Sequence, residues 1–217
     1  MQGNSEDCRD GGVWEGEQGM NETMIQGTFE EHISRPATQR KYYRDIWCLG
    51  PGQGYPGAFP QGLIPLVLKR WNGAKKLMLF SGHFHDKGWD TVDIKPETNP
   101  TYELNAETLP DEWTEKYDLV FADPPYSKEE SLRYYGLPYF NIFKVINEMA
   151  RVTRPGGHMM FLHRLIPQNF PGDNIHFRRM KIVGVVGIYT MSGITNLRAL
   201  TIWNKMRQLE ARQKEDE

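Results

Sequence analysis

From Lys75 onward the apolar positions fall into short runs separated by polar or glycine-rich breaks. KKLMLF (75–80) reads as a buried parallel strand, DTVDI (90–94) as a second, TYEL (101–104) as a third and YDLVFA (117–122) as a fourth. In FNIFKVINEMARV (140–152) the period changes: Ile142, Ile146 and Met149 make the stripe of a helix packed on a sheet. Arg154-Pro155-Gly156-Gly157 predicts a helix end and tight turn, and HMMFL (158–162) a fifth strand. FRRMKIVGVVGIYTM (177–191) and LRALTIWNK (197–205), joined through Ser192-Gly193, read as an antiparallel pair at the sheet edge. Upstream, residues 1–30 show no sustained apolar period and read as a flexible extension, and PATQRKYYRDIW (36–47) predicts a short helix. Gly50–Pro60 is a loop by its Gly and Pro content. GLIPLVLKRW (62–71) then places Leu63, Leu66, Val67 and Trp71 near one helical face. The whole predicts an open, mostly parallel seven-stranded α/β sheet closed by an antiparallel hairpin, with no internal repeat. Such sheets bind ligands beyond the carboxyl ends of their strands.

Composition narrows the class. The chain has 217 residues, 39% hydrophobic and 25% charged, as soluble globular proteins do. No apolar run approaches the roughly 20 residues that span a bilayer, and the acidic N-terminus is unlike a signal peptide. With only Cys8 and Cys48, a disulfide framework is not expected, and a reducing cytoplasm is. Charge divides unevenly along the chain. Residues 1–31 carry eight acids and one base, and residues 208–217 four acids and two bases, so the +7 that balances the chain's −2 lies between them. This predicts an acidic extension (1–31), a basic body (32–207) and a charged tail (208–217). A basic body suits nucleic-acid contact, and equally an ordinary solvated surface.

The strand-end rule directs attention to four places. After the first strand, Phe80-Ser81-Gly82 forms a small turn that lets backbone approach a ligand. At the end of the second, Asp93, with Ile94 beside it, suits the two hydroxyls of a ribose. After the third, Asn105-Ala106 offers a side-chain amide to an adenine edge. The fourth runs directly into Asp123-Pro124-Pro125-Tyr126, which average residue usage would produce by chance on the order of one time in a thousand. A lone Ser-Gly turn or strand-end Asp is usually structural; four strand ends carrying plausible site residues together are not so easily dismissed.

The tetrapeptide's chemistry is direct. An aromatic exocyclic amine is a poor nucleophile because its lone pair is delocalised into the ring. The Asp123 carboxylate and the Pro124 carbonyl can accept its two N–H groups and favour a tetrahedral nitrogen. Pro124-Pro125 fixes the carbonyl's direction, and Tyr126 presents a face on which an extruded base can stack.

On these residues the stretch 77–205 resembles class I S-adenosylmethionine-dependent methyltransferases, and 123–126 matches the motif of the N6-adenine and N4-cytosine amino-methyltransferases. The resemblance implies a Rossmann-like fold, S-adenosylmethionine as methyl donor, and catalysis by Asp123, Pro124, Pro125 and Tyr126. It implies cofactor contacts from Phe80, Ser81, Gly82, Asp93, Ile94, Asn105 and Ala106. Tyr55–Pro60 with Leu63-Ile64 resembles the proline-led helix that precedes the glycine turn in many DNA amino-methyltransferases, which adds Phe59 and Pro60. It implies a nucleobase in DNA or RNA as substrate, adenine before cytosine, and the small size suits a phage-borne or accessory bacterial enzyme.

Two departures from the pattern shape the expectations. Residues 83–89 are too few for the usual helix between the first two strands, so an abbreviated loop must hold the methionine end of the donor. No target-recognition domain is evident, and 127–138 is too small to supply one; a protein partner, SKEESLRYYG (127–136) as a mobile lid, or the cationic Arg35, Arg40, Lys41 and Arg44 with Tyr42 and Tyr43 would have to set specificity. His83, His85 and Asp86 do not predict a metal site, since methyl transfer from a sulfonium needs none. The alternatives are a methyltransferase fold kept as a non-catalytic binding module and a protein glutamine N-methyltransferase, whose related motifs favour Asn where this chain has Asp123.

Overall fold

In the computed structural model, residues 42–55, 57–167, 174–190 and 197–207 are described. Their strands are β1 (Tyr43–Leu49), β2 (Lys76–Leu79), β3 (Trp89–Asp93), β4 (Tyr102–Glu103), β5 (Tyr117–Ala122), β6 (Thr153–His163), β7 (Met180–Thr190) and β8 (Arg198–Lys205). The helices are α1 (Leu63–Arg70), α2 (Lys128–Glu130), α3 (Ile142–Val152) and α4 (Ile175–Arg178). Among the described residues the strands form one sheet in the order β1-β7-β8-β6-β5-β2-β3-β4. β8 runs against both its neighbours and every other pairing is parallel. This is the Rossmann-like, mostly parallel sheet with an antiparallel C-terminal hairpin that the sequence predicts. Among the described residues no helix is long and apolar enough to cross a membrane.

The central strands are apolar on both faces because both faces are covered. Along β2, Leu77 and Leu79 point to one side with Val120 and Ala122 of β5, against Ile146 and Met149 of α3. Met78 points to the other with Leu119 and Phe121, against Leu63 and Val67 of α1. α1 starts at Gly62, whose φ of 84° suits glycine, and places Pro65 in the first turn, where its missing N–H leaves no bond unmade. α3 is capped by Asn141, whose Oδ1 accepts from the backbone N–H groups of Phe143 and Lys144. At the other end of α3, Lys205 of β8 is fully buried and its Nζ donates to the carbonyls of Ala150 and Thr153, each at 2.8 Å. Glu115 lies 3.2 Å from the same Nζ and 2.8 Å from Arg179, so the buried charge is compensated.

Five expectations are corrected. Residues 43–47, placed in a helix, are the body of β1; Tyr43, Trp47 and Leu49 pack against the sheet's second face, and tertiary pairing overrides the local reading. The sheet therefore has eight strands, not seven. The C-terminal hairpin is not at the edge, because β1 pairs in parallel outside β7. Arg154–Gly157 is no free turn: the register jumps from Tyr117↔Thr153 to Leu119↔His158, so these residues bulge out within β6. In the segment read as one strand from Phe177, α4 comes first and the strand begins at Met180. Residues 1–41, the Ser192-Gly193 turn and the 208–217 tail lie outside the described residues.

Candidate active site

β2 is the point where the order of parallel strands reverses, with β3 on one side and β5 on the other. A ligand crevice is expected there. A cavity of about 310 Å³ occupies that place, walled by the ends of β2, β3 and β5 and by the loop after β4. Its other wall is the stretch from Ser131 to Phe140, which follows α2 as a single wide helical turn (Ser131–Tyr135) and an extended return.

The structure brings most of the sequence-derived residues to this cavity. Phe80, Ser81, Gly82, Asp93, Ile94, Asn105, Ala106, Asp123 and Pro125 all line it. At the end of β2 the chain turns sharply: Phe80 has φ 54° and Gly82 φ 50°. A positive φ at a bulky residue such as Phe80 is strained by roughly 1–3 kcal/mol. The Asp93 carboxylate holds the turn, accepting from Gly82 N–H at 2.8 Å with one oxygen and from Lys95 N–H at 2.9 Å with the other. A Cβ on Gly82 would find Tyr55 as its nearest neighbour, at 3.8 Å, so the space beside the turn is open. Ser81 is buried and its Oγ has no hydrogen-bond partner. An orphaned hydroxyl on a cavity wall is what a polar ligand would satisfy.

The loop after β4 is braced from behind. Glu148 of α3 accepts from Leu109 N–H at 2.7 Å and pairs with Arg151, whose guanidinium donates to the carbonyls of Leu109 and Pro110. Glu107 accepts from Asn141 N–H at 2.8 Å, tying the same loop to the start of α3. Asn105 uses its side-chain oxygen locally, accepting from Glu107 N–H at 2.9 Å.

Around the tetrapeptide the geometry differs from the simple picture. Tyr126 does not line the cavity: its hydroxyl donates to Asp123 Oδ1 at 2.6 Å, and the Arg198 guanidinium donates to that hydroxyl at 3.4 Å. The Tyr126 ring meets His163 edge-on, and the Arg164 guanidinium lies 5.3 Å from its centroid. Pro124 is buried and off the cavity wall, where Pro125 is instead. Phe59 packs edge-on against Phe84 and Phe121 in the core, and Pro60 is buried with its carbonyl accepting from Leu63 N–H at the start of α1. Neither reaches the cavity.

Enclosure raises the Asp123 pKa to about 7, against the pull of the Tyr126 hydrogen bond and the Arg198 charge, which lower it. Burial pushes Tyr126 well above its ordinary value as well.

Some cavity side chains lie in segments the sequence singled out, Tyr55 in the Tyr55–Pro60 motif and Tyr134 and Tyr135 in the 127–136 lid, without being named as site residues themselves. Tyr55, Tyr134, Tyr135 and Tyr139 give the cavity an aromatic lining; the tyrosine density of 134–139 was the available signal. Buried His163 accepts from Leu165 N–H through Nδ1 and places Nε2 3.3 Å from the Tyr139 hydroxyl. Burial drops its pKa to about 4, so it is neutral, and nothing in the local sequence marks it. Among the described residues no group of three or more metal-ligating side chains gathers; His83 sets its ring edge against Tyr55. Of the cationic segment proposed for specificity, Tyr43 is on β1, edge-on to Trp71 and beneath Arg70, while Arg35, Arg40 and Lys41 lie outside the described residues.

No family model matches this chain, and no curated protein sequence matches it. Among solved structures, it is similar to TrmN from Thermus thermophilus at 14% identity, over 68% of this chain and 49% of that one, with a TM-score of 0.46. The chain thus spans about half the length of TrmN. It is similar to the N-methyltransferase NodS from Bradyrhizobium japonicum WM9 at 15% identity, over 67% and 93% of the two chains, with a TM-score of 0.45. With the 16S rRNA (adenine(1408)-N(1))-methyltransferase from Catenulisporales acidiphilia it shares 13% identity over 70% and 96%, with a TM-score of 0.40. The fold itself rests on the strand order above.

Proposed function

We propose that this protein is an S-adenosylmethionine-dependent methyltransferase acting on the exocyclic amino group of a nucleobase in DNA or RNA, adenine before cytosine. The observation that carries this reading is that one cavity, at the sheet's switch point, joins the Gly82 turn and Asp93 on one side to Asp123 on the other.

The residues fit the donor. Asp93 faces the cavity with its carboxylate already fixed by two backbone N–H groups, which leaves oxygen lone pairs for ribose hydroxyls. The unpartnered Ser81 hydroxyl and the open face of Gly82 accommodate a polar group at close range. Ile94, Ala106 and Phe140 add apolar surface to the same cavity, which suits a planar base. When bound, the donor would supply a methyl group already activated on a sulfonium, whose S–C bond breaks to leave a neutral thioether.

The chain's own residues then need only position and polarise. Asp123 as a carboxylate accepts an N–H of the amine, draws the nitrogen lone pair out of ring conjugation and receives the proton released as the N–C bond forms. Tyr126 acts beside it, not as a stacking face: its O–H fixes one Asp123 oxygen and leaves the other for substrate. Stacking falls to the tyrosines of the cavity wall.

Isothermal calorimetry with S-adenosylmethionine, followed by labelled methyl transfer to DNA, transfer RNA and ribosomal RNA with nucleoside analysis, tests the reading. Asp123→Ala should lower turnover at least about 100-fold with cofactor affinity nearly unchanged, while Asp93→Ala should weaken cofactor binding first. No cofactor binding at millimolar concentration, or full turnover in Asp123→Ala, would overturn it.

A further inference from the structure

We infer that the turn Leu132–Tyr134 and its basic neighbours form the docking surface for a single-stranded nucleic-acid segment, with Tyr134 stacking on the base next to the one held in the cavity. This rests on the function proposed above and names the strand form and the residues that grip it.

The turn is built to present these three side chains outward. Ser127 caps the segment by accepting from Glu130 N–H. Ser131 is buried and its hydroxyl donates to the Leu137 carbonyl at 2.9 Å. Gly136, at φ 67°, closes the turn with its N–H on the Leu132 carbonyl. Tyr135 points inward on the cavity wall, and a Cβ on Gly57 of the opposite loop would lie 2.6 Å from its hydroxyl. With 131 and 135 held inside, residues 132–134 face solvent. Leu132 is 70% exposed and Tyr134 56% exposed. Tyr134 is at once a cavity-lining residue and an exposed one, so its ring stands at the lip.

The exposed ring and the slight excess of cations around it together point to the occupant. Lys128 and Arg133 are exposed on the same segment with Glu129, whose charge offsets that of Lys128, and the Arg133 guanidinium lies 5.4 Å from the Tyr134 centroid. Arg164 joins them through its 2.6 Å bond to Glu130, whose other oxygen accepts from Tyr126 N–H; that carboxylate offsets the guanidinium charge, and Arg164 keeps further N–H donors for a phosphate. Cations interleaved with an exposed aromatic ring are the features that track a phosphate backbone and stack its bases. An aromatic face engages only an unpaired base, and so few cations offer a duplex little grip, which favours a single strand.

The test is fluorescence anisotropy of the full chain with 5′-fluorescein-labelled single strands of mixed sequence, DNA and RNA, and with the matching duplexes, across a potassium chloride series. Single strands should bind more tightly than duplexes. Tyr134→Ala should weaken binding by about 10-fold or more, and Tyr134→Phe, which keeps the ring, should stay within about twofold of wild type. Lys128→Ala and Arg133→Ala should each flatten the log–log salt slope by about 0.7. Unchanged affinity in a folded Tyr134→Ala, unchanged slopes, or equal duplex binding would overturn the inference. Failure of the functional reading looks different: Tyr134-dependent strand binding with no methyl transfer removes the enzyme and leaves the surface. Methyl transfer that is indifferent to Tyr134→Ala does the reverse.

Discussion

Asp123 sits where burial and two neighbouring donors oppose one another, and the balance leaves its pKa about 7. The role proposed for it, accepting an amine N–H, requires the carboxylate, so the direction of the pH dependence follows. Below the pKa the carboxyl is protonated and its acceptor capacity is reduced; above it the carboxylate is available. Methyl transfer measured as kcat/KM should therefore rise with pH and level off above about 8. The Tyr126 hydroxyl stabilises the charged form, so Tyr126→Phe should move that limb to higher pH, as should Arg198→Ala. A limb that does not move in Tyr126→Phe would remove Tyr126 from the catalytic arrangement. At this scale the sequence named Asp123 as catalytic and Tyr126 as a stacking face; the structure puts Asp123 on the cavity wall and turns the Tyr126 ring to His163, its hydroxyl beside Arg198. A tetrapeptide specifies which groups are near one another along the chain. It does not specify which way a ring turns, and that was settled by Asp123, Arg198 and His163, drawn from three different strands or strand ends.

Elements carry these side chains only as precisely as their own ends are held. α3 is fixed at its start by Asn141 and Glu107 and at its finish by Lys205, whose ammonium is buried against two carbonyls and Glu115. Lys205→Met keeps much of the apolar stem but strips those carbonyls and the carboxylate of their partner. It should destabilise the protein by roughly 3 kcal/mol or more, read as a lower urea midpoint with an unchanged m-value. A midpoint equal to wild type would show that water or Arg179 takes over the role. The period of hydrophobic residues made α1, α3 and the parallel strands legible, because each buries a regular face. It failed at β1. There the pattern Tyr43, Trp47, Leu49 of partly and fully buried residues is too sparse to distinguish strand from helix without the neighbour it pairs with.

For the molecule as a whole, β1 is the unexpected part. It covers the outer edge of β7 through a parallel register from Tyr43↔Gly184 to Leu49↔Thr190, and buries Trp47 and Leu49 against the sheet. Removing residues 1–50 should bare that edge, lower the melting temperature by several degrees and produce concentration-dependent association in size-exclusion chromatography. A truncated chain that stays monomeric with an unchanged melting temperature would show that β1 is dispensable. The sequence alone determined the alternating α/β order, the antiparallel final pair and four strand ends rich in polar groups, because these depend on local periodicity and on residue types that backbone geometry demands. Tertiary structure decided which of those ends share a cavity, that Phe59 and Pro60 serve the core, that four tyrosines line the wall and that an eighth strand closes the edge. Those outcomes depend on contacts between residues tens of positions apart, whose distances no local pattern encodes.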